Sequence, residues 1–157
     1  MARILFRQSV QEDVNIIAGS MRVADIAELK AGGSDPLSAL QLGLDSSDVC
    51  VTVTTLDGEP FAMYGVAPGC VLTGMGRPWL LGTDTSLKYK REFLTATYSV
   101  INSMLSMYPR LENYVHVDNR ISVRWLKWMG FNMDDPFVSP VSGEKFMRFW
   151  MRTNDNV

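Results

Sequence analysis

Residues 117–131, VDNRISVRWLKWMGF, narrow the choice of fold more than any other stretch of the chain. They follow a β-type run, NYVHV at 113–117, and predict a short helix with a defined start and stop. Asp118 or Asn119 suits the N-cap, because a short side-chain acceptor takes an amide proton of the first turn. Gly130 suits the stop, since glycine enters the left-handed conformation that ends many helices. Between them Ile121, Trp125 and Trp128 recur at i, i+4, i+7, the spacing of one buried stripe. Phe131 then opens the next strand.

The rest of the chain sets this unit in context. RILFRQ at 3–8 predicts a first strand, and residues 11–20 and 22–31 predict two helices, with Glu12 and Asp13 suited to the positive end of the first. Their inward positions are Val14, Ile17, Ile26 and Leu29. Asp35-Pro36 starts a third helix through Leu37, Leu40 and Leu44. From residue 48 the period changes to two, and Asp57-Gly58 marks a hairpin. Further turns are expected at Ala67-Pro68-Gly69 and Gly74-Met75-Gly76. A short strand follows from about Trp79, then one long helix over 86–108 that Pro109 closes. KFMRFWM near the end alternates as a last strand. Hairpins followed by a strand–helix–strand crossover imply an α/β fold with a mixed sheet.

Composition excludes several classes. A length of 157 residues suits one domain over 1–157. The net charge of -2, with cations and acids interspersed, argues against nucleic acid as the main ligand. No apolar run is long enough for a membrane span, so no membrane partner is expected, and MARILFRQSV turns polar too early for a signal peptide. The two cysteines, Cys50 and Cys70, show no metal-ligand spacing and read as free buried thiols.

The element order, together with Asn119, Ser122, Gly130 and Phe131, resembles the GNAT N-acetyltransferase superfamily. There an Asn after the fifth strand is followed by a small residue and then Gly-Phe at this spacing. The block PWLLGTD…YPRLENYVHVDNRISVRWLKWMGF also resembles small phage-encoded GNAT-like proteins, the gene-thirteen products of short-tailed phages named for a role in virion assembly. The resemblance implies a central, mostly antiparallel sheet of six or seven strands flanked by helices. Strand four (about 79–82) and strand five (about 113–117) would splay apart. Acetyl-CoA would bind there, its pantetheine arm along Leu80, Leu81 and Gly82 and its pyrophosphate at Thr83, Thr85, Ser86 and Lys88. Asn119 and Ser122 would line the same cleft. It further implies transfer of an acetyl group to an amine of a small molecule or host protein, in the cytoplasm of a bacterial host or in association with the virion.

The chain departs from that pattern in three places. The loop LLGTDTSLKYK has Gly82 as its one glycine, so few amides turn toward a phosphate. Leu126 stands where many relatives carry a Tyr general acid, and no Glu occurs at 79–81. His116 and Asp84 remain as candidate catalytic groups. Each has a plainer reading, His116 as a hydrogen-bonded strand residue and Asp84 as a helix N-cap. Asn119 likewise reads as cap or as cleft group, while Trp79, Trp125 and Trp128 read as core. The loops at 32–36 and 67–78 would frame the acceptor groove. Two functions therefore stand side by side: an acetyl-CoA-dependent transferase, and a catalytically inactive protein of the same fold that docks to a host enzyme or to virion components. Either would exist as monomer or homodimer.

Overall fold

The computed structural model describes residues 3–153. Its elements, in chain order, are β1 (Ile4–Gln8), α1 (Gln11–Gly19), α2 (Val23–Ala31), α3 (Pro36–Ser46), β2 (Val49–Thr55) and β3 (Pro60–Pro68). There follow β4 (Met75–Gly82), α4 (Thr85–Lys88), α5 (Lys90–Met107), β5 (Arg110–His116), α6 (Arg120–Met129), β6 (Asn132–Met133), β7 (Phe137–Val138) and β8 (Lys145–Arg152). One eight-stranded sheet runs β1-β2-β3-β4-β5-β8-β6, with β7 also on β8. Every pairing is antiparallel except β4–β5.

Alternation along the strands divides the core between the two faces of the sheet. Met63 and Leu81 point to one face, where Val14, Ile17 and Leu40 of α1 and α3 cover them. Tyr64 and Leu80 point to the other, against Phe93 of α5 and Trp125 of α6. Local chemistry fixes the helix starts. Asp35 accepts the Ser38 amide at 2.9 Å and caps α3 ahead of Pro36. Buried Asp13 accepts the Val10 amide at 2.9 Å, the Thr52 hydroxyl at 2.7 Å and two Arg7 bonds at 2.8 Å, tying α1 to the sheet.

Several expectations hold. Gly58 and Gly130 sit at φ 89° and 99°, in the β2–β3 hairpin and at the end of α6. Others are corrected. Ala67-Pro68 is not a turn but the end of β3, and Met75-Gly76 begins β4, which is longer than expected because Gly76 and Pro68 still pair. The helix over 86–108 is two helices: Tyr89 leaves helical geometry at φ -110°, ψ 23°, and its ring packs on Phe61. Trp128 is not core. It lies 48% exposed against Tyr98, whereas Trp125 is buried. The thiols are free, but Cys50 is only half-buried and Cys70 is exposed.

Candidate functional site

The strand splay originates in two side chains. β4 and β5 pair only at Met75–Arg110 and Gly76–Leu111. The next residue of β4 facing β5 is Pro78, which has no amide proton to extend the ladder. Its carbonyl instead accepts Asn113 Nδ2 at 2.9 Å, and Asn113 Oδ1 accepts the Tyr114 amide at 2.9 Å. The Asn113 carboxamide thus stands between the strands like an extra peptide unit and wedges them apart. Beyond it the Leu80 amide and carbonyl face the gap, because Leu81 and Thr83 are the residues turned toward β3. A cavity of about 590 Å³ runs through this gap, lined by Trp79, Leu80, Asn113, Val115, Ser122 and Trp125 among others. That volume suits a small ligand.

The far end of the gap is closed by α2 and the residues before it. Met21 forms a β-bridge with Thr83, and the Arg22 amide donates to the Gly82 carbonyl at 2.9 Å. Asp25 Oδ2 accepts the Gly82 amide at 3.3 Å. From the β5 side, the His116 amide donates to Glu28 Oε2 at 2.8 Å. Asn119 Nδ2 donates to Asp25 Oδ1 at 3.1 Å and to Glu28 Oε2 at 3.3 Å, while Arg22 bonds Asp25 at 3.2 Å and Asn119 Oδ1 at 3.4 Å. Two carboxylates therefore clasp the amides at both strand ends. Arg22, Asp25, His116 and Asn119 are all buried. Burial raises the Asp25 carboxyl above its usual range despite Arg22. Burial, with the Asp25 charge adding to it, pushes Glu28 up to about 7, against the stabilising His116 and Asn119 bonds.

The residues expected to serve a cofactor have other duties. The Thr83 amide donates to Phe61 O at 2.8 Å, the Ser86 amide to Thr83 O at 3.1 Å and the Leu87 amide to Asp84 O at 3.0 Å. The Thr85 amide donates to Thr83 Oγ1 at 3.3 Å. Thr83 and Ser86 are buried, Lys88 extends over the Tyr89 ring, and α4 spans four residues. Leu81 packs into the α1–α3 core and also borders the cavity. The cavity could admit a slender apolar arm. The pyrophosphate of coenzyme A does not fit: the amides of Thr83, Thr85, Ser86 and Leu87, which would cradle it, are bonded within the chain, and Gly82 has its carbonyl held by Arg22 and its amide by Asp25 of α2.

The two candidate catalytic groups differ in how they are held. His116 Nδ1 accepts the Asp118 amide at 3.0 Å, so Nε2 carries the proton of the neutral ring and donates to Glu144 Oε1 at 2.9 Å. Asp84 is exposed, and its side chain makes no cap bond, because its own backbone is already helical. Asn119 occupies the N-cap position without capping, since its carboxamide is turned to the carboxylates of α2.

The fold and the sequence point to different relatives. An acetyltransferase of the GNAT family from Bacillus anthracis superposes with a TM-score of 0.68 at 13% identity, over 96% of this chain and 95% of that one. The ribosomal-protein-S5-alanine acetyltransferase of Vibrio fischeri gives 0.69 at 14% identity, over 99% and 96%. Spermidine N-acetyltransferase of Vibrio cholerae, in complex with CoA and spermine, gives 0.64 at 11%, over 96% and 95%. These likenesses establish the fold. In sequence, residues 50–138 match the family described as "Bacteriophage T7, probable scaffold protein Gp13". The probable scaffold protein gp13 of Escherichia phage T7 is 34% identical over 107 residues, 68% of this chain and 70% of that one. The chain belongs to the Gp13 family.

The matched segment of this Gp13-family chain includes Pro78, Gly82, Asn113, His116 and Asn119 but not α2. Sequence reasoning missed the α2 carboxylates because Ile26 and Leu29 looked like its inward stripe. Ile26 is in fact exposed and Asp25 buried. The available signal was the spacing Arg22, Asp25, Glu28, which places a cation and two acids on one helical face.

Proposed function

We propose that this Gp13-family protein acts in phage virion assembly by docking to other proteins, on an acetyltransferase fold that does not use acetyl-CoA. The observation that carries this reading is the clasp on Gly82: its carbonyl is held by the Arg22 amide and its amide by Asp25. The bonded amides of Thr83, Thr85, Ser86 and Leu87 support it, and so does the description of the relative from phage T7 as a probable scaffold protein. The protein would work in the host cytoplasm or on the virion. Among the described residues no helix is long and apolar enough to cross a membrane.

Thermal melting with and without millimolar acetyl-CoA tests the proposal. A ligand at about a hundred times its dissociation constant adds roughly 2.7 kcal/mol, which for a domain of this size raises the melting temperature by about 5–10 °C. The docking reading expects no displacement of the melt. A clear rise sinks it and revives the transferase, for which one observation speaks. Glu28, with its carboxyl pushed up to about 7, lines the cavity where a base for an incoming amine would stand.

A further inference from the structure

The two helical layers carry opposite charge on their outer surfaces. α5 and α6 run side by side in the same direction, since Phe93 meets Trp125 and, further along both, Tyr98 meets Trp128 at 5.5 Å. Along α4–α6 the exposed charged side chains are Lys88, Lys90, Arg91, Arg120, Arg124 and Lys127, all cationic. Glu92 is half-buried and paired with Arg3, and exposed Asp84 and Asp118 lie in the flanking loops. On α6, Arg120, Arg124 and Lys127 follow one another at helical spacing beside the exposed Trp128.

The opposite surface is the complement. α1 and α3 are joined by the Gln11–Gln41 pair, and Gln41 also bonds Asp45. Asp35, Ser38, Gln41 and Asp45 form one stripe along α3, with Glu12 next to Gln11 on α1. On α1–α3 and the cap of α3 the exposed charges are Glu12, Asp35 and Asp45 against Lys30; of the exposed strand cations beside them, Arg7 is paired with Asp13 and Arg77 borders the cavity next to Leu42 and Ser46. Exposed Ile16 and Leu42 accompany these acids as Tyr98 and Trp128 accompany the cations. Each stripe runs for about ten residues, roughly 15 Å of helix.

We infer that the α5–α6 surface docks onto the α1–α3 surface of a second copy of this chain. The inference rests on the docking reading, to which it adds a partner. Because the two surfaces lie on opposite faces of one sheet, the contact is head-to-tail and leaves a free surface at each end, so association continues beyond a pair. It is electrostatic in its rim. Raising salt from about 0.1 M to about 1 M cuts the screening length from about 10 Å to about 3 Å and weakens the contact.

Sedimentation velocity over a concentration series tests this. Low salt is expected to give a mass that climbs past the 17.6 kDa monomer, and high salt to return the monomer. Arg124→Glu with Lys127→Glu should abolish the climb, as should Glu12→Lys with Asp45→Lys. An equimolar mixture of the two variants should restore it, because each altered surface then finds an altered complement. All four positions are exposed, and unchanged melting temperatures show that each variant is folded. A monomer at every salt and concentration overturns the inference, as does association that survives either reversal. So does a monomer that binds a fluorescent single-stranded oligonucleotide through Arg124 and Lys127, which would make the surface a nucleic-acid platform.

Discussion

Glu28 shows how a single side chain can be out of equilibrium with its setting. It is acidic in the unfolded chain, yet folding holds its carboxyl at about 7. A group whose folded pKa is raised adds stability that is complete below its unfolded value and is lost as pH climbs through the folded one. The window here runs from about pH 4.5 to above 7. Glu28→Gln keeps an oxygen for the His116 amide and removes the ionisation. Variant and native chain should therefore melt alike near pH 5, with the variant about 2–3 kcal/mol more stable near pH 8. Parallel melting curves across that range would show that Glu28 ionises without penalty. At this scale the sequence was legible where one residue answers to its own backbone, as Gly58 and Gly130 do. It was not legible where partners come from distant segments. Asn119 looked like a cap because its neighbours in sequence form a helix, but its hydrogen bonds go to Asp25 and Glu28, more than ninety residues earlier.

Elements were read more securely, and their errors have local causes. Amphipathic spacing located α1, α3 and α6 to within a residue or two, since each buries one stripe against the sheet, and it gave the span of α2 but not its inward face. It could not see the break at Tyr89, because both halves of that run favour helix and the interruption comes from tertiary contact with Phe61. Nor could it see that Arg77-Pro78-Trp79 is the origin of the splay, with Pro78 ending the parallel ladder. Trp79 is in turn fixed by α3. Its Nε1 donates to Ser47 Oγ at 2.7 Å, and its ring lies against Gly43, where an added Cβ would stand 2.5 Å from Cζ2. Gly43→Ala sets two effects in opposition. Alanine gains up to about 1 kcal/mol in helix propensity, and overpacking against the rigid indole costs about 1–3 kcal/mol. The clash is expected to win, so denaturant melts should find the variant less stable by about 1 kcal/mol or more. A stabilised variant would mean that the Trp79 ring moves aside freely.

For the molecule as a whole, the mixed sheet and its element order followed from hairpin chemistry and one crossover, and the fold comparisons agree. What holds the sheet together across its middle was invisible, because that depends on which hydrogen bonds are missing. β3–β4 and β5–β8 are continuous ladders, and β2–β3 runs its full length with one register shift between Val53 and Thr54. Between β4 and β5 there are two residue pairs, the Asn113 wedge and the α2 clasp. Amide hydrogen exchange should report this. In an Asp25→Ala, Glu28→Ala variant, which leaves neither strand end an acceptor, the Gly82 and His116 amides are expected to exchange much faster while those of Val53 and Met63 keep their protection. Equal acceleration throughout would mean that the clasp carries global rather than local stability.

Pro78 has one more consequence. A protein pulled or pried apart yields along its least-bonded line, and here that line is a seam with two rungs where a full-length pairing would have several. Strands 1–4 and strands 5–8 are thus two panels joined by a narrow strap, so a mechanical load across the sheet would part the panels along the proline before unzipping either one.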